Sequence, residues 1–466
     1  MTYDEEISGG VIIYHAGRIG SAGTGADAPG GRIAEASMAD KSRNLAALAP
    51  WLALLAISLL INYVDRGNVS IAAPLLKDEL HLNPWQLGIL FSAFFWTYTA
   101  LQFVMGWFVD RFEVNVVIAV GYLVWSLATV TTGFVHGFMM LLVMRLMLGI
   151  GESVAVPACS KILAHHVPEY YRGFANGIVI AGVKCGPAVG TLGAGLLMAK
   201  YGWRPVFIVI GLVSLAWLPA WWKWMPRGKA EAGPAVTGAA LIAAILRQRS
   251  FWGASAGHFC TNYLLYVMIT WLPFYLVRER HLSIEAMAKT AGLYFLVEAA
   301  AAISCGWLSD SFIRRRYTPT LVRKSAMALG HTIAGIAIAA CVVAGPHTYL
   351  AWLMAAAVGS GMISSGVYAF SQTLAGPQAA GTWTGFQSGF ANLAGVVAPA
   401  LTGFLVNRTG NFLAALAVTA SVSMVGSLAW VLAVGRLEQV TWAPKRGGLP
   451  TCDAQKTPSV LNSTVS

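Results

Sequence analysis

Six ionisable residues stand where the surrounding sequence is almost wholly apolar: Asp65, Arg66, Arg145, Glu152, Lys184 and Glu298. A charge at the middle of a bilayer costs roughly 2.5–3.5 kcal/mol even on the lenient insertion scale, so such residues face a cavity or a partner and mark a solute or ion pathway. Two chemistries follow from their types. Arginine holds a carboxylate through two parallel hydrogen bonds and keeps its charge at working pH. A carboxylate in a low-dielectric setting can act as a proton carrier. Arg145 and Glu152 are seven residues apart, two helical turns and ~10.5 Å along one face, so both can line one cavity. Asp65 and Arg66 are adjacent and diverge by ~100°, so one points at the helix-bundle axis while the other reaches sideways. A substrate carboxylate ~6 Å from an ionised Asp65 or Glu152, at an effective dielectric of about 20, is repelled by about 2.8 kcal/mol. Anion and proton then bind together more readily than either binds alone, which is the logic of symport. Lys184 and Glu298 lie mid-helix, and the expectation is that they pair across an interface or that Lys184 faces the ligand.

These residues need membrane helices to hold them. Of 466 residues 57% are hydrophobic and 11% charged, against about a quarter charged in soluble domains. A soluble enzyme or nucleic-acid binder is excluded despite the net charge of +11, because too little polar surface remains to cover a core. Spans of about 20 apolar residues can be marked twelve times, at roughly 48–75, 85–107, 114–134, 138–160, 173–199, 204–225, 250–277, 287–309, 320–344, 347–370, 382–406 and 411–435. The expected fold is an all-α membrane protein with twelve transmembrane helices in two pseudo-symmetric six-helix bundles. Residues 1–47 are read as a disordered cytoplasmic tail, with Met38 an alternative start, 48–225 as the first bundle, 226–249 as a cytoplasmic linker, 250–436 as the second bundle and 437–466 as a cytoplasmic tail. The duplication is visible in one turn: Gly106-Trp107-Phe108-Val109-Asp110-Arg111-Phe112 matches Gly306-Trp307-Leu308-Ser309-Asp310-Ser311-Phe312 at four of seven positions, the weak internal symmetry of transporter repeats.

With both termini inside, the cytoplasmic segments carry 21 basic residues against 7 outside, as the positive-inside rule requires. The Arg314-Arg315-Arg316 run then lies at lipid headgroups and gives no reason to invoke nucleic acid. The six cysteines are spread without C-x-x-C pairing and read as small core residues. No cofactor and no metal are expected. Gly177-x4-Gly182-Val183-Lys184 lacks the ending of a phosphate loop and lies inside a span.

The segments Ile61-Asn62-Tyr63-Val64-Asp65-Arg66, Ser92-Ala93-Phe94-Phe95-Trp96-Thr97-Tyr98 with Gln102, and Arg145-x3-Gly149-x2-Glu152 resemble the anion:cation symporter branch of the major facilitator superfamily. The likeness is greatest to the bacterial galactonate, glucarate and hexuronate permeases. It continues at His258-Phe259-Cys260-Thr261-Asn262, Thr270-Trp271-Leu272-Pro273, Asn392 and Pro399. The resemblance implies the major facilitator fold, proton coupling at Asp65 and Glu152, and a sugar-acid site built from Tyr63, Arg66, Tyr98 and Arg145. It also implies a conformational latch at Asp110 and Arg111. His258 stands where the galactonate-like proteins carry glutamine, Val104 replaces a proline, and Lys184 and Glu298 depart from the branch pattern. His258 and Asn262 join the candidate substrate-binding set with Lys184, and Gln387, Ser388 and Asn392 could donate hydroxyl-directed hydrogen bonds from the second half. Trp96, Tyr263, Tyr266 and Tyr368 are read as packing residues or interfacial anchors.

The expected function is import of a small organic anion, an aldonate, aldarate or uronate, by proton symport through alternating access, in a monomer of the bacterial inner membrane. Sodium is an alternative coupling ion. The competing readings are a proton-coupled exporter, because Gly182 to Gly193 resembles an antiporter signature in the fifth span, and a membrane solute sensor that moves nothing.

Overall fold

The computed structural model describes residues 3–8, 11–16, 29–167, 169–225, 239–364 and 366–440. Over the stretch expected as an unstructured leader, the backbone forms an antiparallel hairpin of Tyr3–Ser8 with Val11–Ala16, and the helix that becomes the first span begins at Pro29. Val11-Ile12-Ile13-Tyr14 is a run of β-branched and aromatic strand formers, which the glycine-rich reading of the leader passes over. Every other regular element described is helical.

Twelve helices have the length and hydropathy to cross a membrane: Ala49–Glu79, Pro84–Met105, Val114–Thr132, Phe138–Leu163, Ile178–Tyr201, Trp203–Trp224, Arg249–Arg278, Ile284–Arg314, Pro319–Val343, Tyr349–Gly376, Gly381–Thr409 and Leu413–Ala433. They coincide with the twelve expected spans. Long apolar runs become helices because only a helix satisfies every backbone group within its own segment. Their starts are set by local chemistry. Asn83 and Gln86 form a reciprocal capping box ahead of Pro84, Ser283 caps the eighth span through the Ala286 amide, and Thr318 precedes Pro319 as the ninth span's cap. Polar caps satisfy the free amides of a first turn, and proline fits its first position.

In the first half the third span packs on the fourth and sixth, and the second on the fourth. In the second half the ninth packs on the tenth and twelfth, the eighth on the tenth, and the seventh on the eleventh and twelfth. The halves meet where the second span lies against the eleventh and the fifth against the eighth. Approach there is close: a Cβ on Gly88 would sit 2.8 Å from the Pro399 carbonyl and 3.0 Å from Gly403 Cα. The glycine row of the fifth span serves packing on the first. A Cβ at Gly182 would meet Ala56 O at 2.3 Å, and one at Gly186 would meet Tyr63 Cβ at 2.5 Å.

One end of the molecule is tied across the halves. Arg278 of the seventh span pairs with Asp78 of the first and donates to Pro74 O at 3.3 Å, while Trp85 meets Phe404 edge-on at 6.0 Å. At the other end, the first four residues of the expected trailing tail dock rather than hang free. Leu437 N donates to Thr320 Oγ1 at 3.1 Å and Val440 N to Leu374 O at 2.8 Å. Within the expected linker, Ala239–Leu246 is a short helix.

Gly88→Val is expected to lose about 1–3 kcal/mol through overpacking, read as a lowered thermal midpoint in detergent. Gly193→Ala has nothing within 4 Å of the added carbon and is expected to change stability by less than about 0.5 kcal/mol.

Candidate functional site

The first span carries Asn62, Tyr63, Asp65 and Arg66 within five residues, so their side chains fan around little more than one turn. Arg66 is 2% exposed. Its Nε and Nη2 both donate to Oε2 of Glu152, at 3.2 and 3.1 Å, and Nη2 also donates to Asn62 Oδ1 at 3.2 Å. Glu152 is the last residue of the helical segment Phe138–Glu152, before the fourth span resumes at Ala155. That break presents the carboxylate to the first span.

Aromatic rings complete the cluster. The Arg66 guanidinium carbon lies 4.5 Å from the Tyr63 ring centre, 5.0 Å from Phe94 and 4.6 Å from Tyr98. Arg145 is 5.1 Å from the same Phe94 ring, so one ring lies close to two guanidinium groups. Ring quadrupoles attract cations, and this helps two like charges share a small space. Arg145 donates Nε to Leu90 O at 3.3 Å, and among the described residues no carboxylate lies within ion-pairing distance of it. The seven-residue spacing therefore brings Arg145 and Glu152 to one cluster, but the ion pair joins the first and fourth spans. Asp65, 2% exposed, accepts a hydrogen bond from Asn68 Nδ2 at 3.2 Å and turns toward Thr129 and Ser214. This is the divergence from Arg66 that adjacency on a helix requires.

The second half contributes a hydrogen-bonded hub. Asn392 Oδ1 accepts from Tyr266 OH at 2.6 Å and from Asn262 Nδ2 at 3.2 Å, and Asn392 Nδ2 donates across the seam to Gln102 Oε1 at 2.8 Å. The Tyr266 ring lies 4.3 Å from Phe95 of the second span. A turn away, Gln387 Oε1 accepts from Ser371 Oγ at 2.8 Å and from Trp383 Nε1 at 3.0 Å, with Gln387 Nε2 3.4 Å from His258 Nδ1. His258 meets Tyr368 edge-on at 5.8 Å, and Ser388 lies against the Tyr368 hydroxyl.

Solvent access is uneven. Arg66, Arg145 and Glu152 are at most 4% exposed, so the expected wet cavity does not reach them here: protein surrounds them on all sides. Tyr368 gathers with Tyr63, Tyr98 and Tyr266 and keeps 48% of its surface exposed. Sequence reasoning placed Tyr266 and Tyr368 among packing residues and anchors. The position of Tyr266, four residues beyond Asn262 on the same helix face, was the available signal. Phe94 and Asn62 were likewise missed as partners of the arginines.

Lys184 is half-buried and Glu298 buried. They are near enough for their charges to attract, and Glu298 also faces Ser360 and Ser364. No direct ion pair joins them among the described residues. Arg111 is exposed, and the side chain of Asp110, the other half of the expected latch, lies outside the described residues. Among the described residues no cluster of three or more His, Cys, Asp or Glu could hold a metal.

Twelve membrane-length helices in two groups, meeting along a seam that holds charged and aromatic side chains, define a membrane transporter and not an enzyme. The chain belongs to the Major Facilitator Superfamily, whose profile matches residues 55–322. It is 31% identical over 404 residues to a probable sulfoacetate transporter of Cupriavidus necator, covering 81% of this chain and 92% of that one. It is 28% identical to the hexuronate transporter of Bacillus subtilis, covering 82% and 93%, and 28% identical to a D-galactonate transporter of Escherichia coli, covering 84% and 96%. Among solved structures, a bacterial homologue of the human lysosomal transporter Spinster superposes with a TM-score of 0.66 at 20% identity, over 82% of this chain and 94% of that one.

Removing one member of a buried ion pair costs about 3–5 kcal/mol, whereas replacing both by apolar groups is often neutral. Arg66→Met alone is expected to destabilise by that amount and Arg66→Met with Glu152→Leu by much less, measured by unfolding of the purified protein. A double variant as unstable as the sum of the singles would show that the pair is not the unit of stability.

Proposed function

We propose that the chain imports a small organic anion of the sugar-acid class with a proton, by alternating access, in the bacterial inner membrane with both termini cytoplasmic. The observation that carries this reading is the buried ion pair of Arg66 with Glu152 beside Arg145, which pairs with no carboxylate among the described residues. Arginine suits a carboxylate ligand, and the relatives named for sulfoacetate, hexuronate and galactonate support the anionic class. In this reading Arg145, which contacts no carboxylate of the protein, receives the substrate carboxylate, with Tyr63, Tyr98 and Arg66 around it. His258, Asn262, Gln387, Ser388 and Asn392 meet its hydroxyl groups.

Asp65 and Glu152 carry the proton. Protonation of Glu152 weakens its hold on Arg66 and leaves the guanidinium to the incoming anion, so proton and substrate favour one another. Residues 48–225 and 250–436 are the two moving bodies, and 226–249 joins them. The end tied by Arg278 and Asp78 faces outward under the positive-inside rule. Asp110 and Arg111 help to latch the opposite face in the alternate state.

Purified protein in vesicles with an inwardly directed proton gradient is expected to accumulate a labelled aldonate, aldarate or uronate. Asp65→Asn and Glu152→Gln are each expected to lose most of the gradient-driven accumulation while retaining exchange of the same anion. Proton-driven efflux of a cationic solute, with no anion accumulation, would replace this reading by that of an exporter.

A further inference from the structure

Three cations lie near the middle of their spans, and among the described residues only Arg66 pairs with a carboxylate. Arg145 has a backbone oxygen and the Phe94 ring. Lys184 has no ion pair among the described residues, and its direction can be worked out from its neighbours. Gly182 and Gly186, two residues to either side, are the positions pressed on Ala56 and Tyr63 of the first span. A residue two positions away lies ~200° around a helix from such a contact, so Lys184 turns away from the first span. Gly195, eleven residues on and rotated by only ~20° from Lys184, faces chiefly the eighth span: a Cβ there would meet Ala288 Cβ at 2.5 Å, with Ile71 of the first span farther off at 3.5 Å. Lys184 therefore projects into the seam between the halves, half-buried, with Glu298 opposite.

Its depth is set by the same contacts. Gly186 rests on Tyr63, whose ring lies 4.5 Å from the Arg66 guanidinium, and Lys184 is displaced from Gly186 by only ~3 Å along the axis. Arg145 shares the Phe94 ring with Arg66, so a planar guanidinium at Arg145 and a compact ammonium at Lys184 lie near one level, neither paired with a carboxylate among the described residues. The charge balance points the same way. With all six groups within the spans ionised the positive and negative charges cancel, and with protons on Asp65 and Glu152 two positive charges remain.

We propose that the substrate is a dianion, with one carboxylate on Arg145 and a second anionic group on Lys184. The site thereby selects dicarboxylates, or carboxylates bearing a second acid, over monocarboxylates of equal length. Glu298 is the resting partner of Lys184 at longer range and yields it when the second acid arrives. This rests on the anion-import reading and adds its charge class.

Galactarate and galactonate test it, because they share one six-carbon hydroxylated chain and differ only in the acid or alcohol at its far end. Isothermal titration of the purified full chain is expected to give about tenfold or tighter binding of galactarate, the scale of one added charge contact. Lys184→Gln is expected to bring that ratio to within about threefold of unity, and Lys184→Arg to restore most of it. Wild-type protein that binds galactonate as well as galactarate overturns the proposal even if no variant folds. So does a Lys184→Gln variant that weakens both ligands equally. Binding of galactonate alone would leave anion transport standing and remove the dianion. Binding of neither these two nor sulfoacetate would remove both.

Discussion

A guanidinium cannot lie bare at mid-membrane, and the arrangement around Arg66 is the answer this chain has reached. One carboxylate neutralises it, an asparagine of its own helix takes a further donor, and three aromatic rings surround what remains. Much follows from that requirement. It joins the fourth span to the first, next to the helix break after Glu152. It also places Phe94 beside Arg145. A buried charge pair adds little net stability over an apolar replacement, so packing alone does not call for one here. A proton on the carboxylate, or an anion at the guanidinium, alters the same contact.

The seam between the halves combines two kinds of contact. Toward one end, glycine and small residues allow backbones to touch, and Arg278 with Asp78 adds a charged tie. Near the middle, the contacts become side-chain hydrogen bonds centred on Asn392, which joins the seventh, eleventh and second spans through one amide. Interhelical hydrogen bonds of this sort are worth about 0.6 kcal/mol on average in membrane proteins. At that strength they define an orientation without locking it.

The helical fold was legible in the amino-acid order because hydrocarbon leaves backbone only a few solutions. The six charges within the spans were legible for the same reason, since each stands out against its apolar neighbours. Pairing was harder to read. Arg145 and Glu152 share a helix face, but the carboxylate went to Arg66, 86 positions earlier, and only the packing of the first span on the fourth could decide that. Aromatic residues were the least legible. Tyr266 and Tyr368 are chemically alike, yet one is buried in the hub and the other is 48% exposed. Which side of a helix looks into the seam depends on the neighbours that cover the rest. The leading hairpin was hidden by the glycines around it.

The long sequence separation within the Arg66–Glu152 pair also bears on how the protein is made. Ribosomes add about 5–20 residues per second, so the first span is synthesised roughly 4–17 s before the carboxylate that neutralises it. During that interval a helix bearing both Asp65 and Arg66 must wait at the insertion machinery or in lipid, without its eventual neighbour. Biogenesis is therefore most exposed to error before the fourth span emerges, and slow decoding between these two helices would prolong that danger.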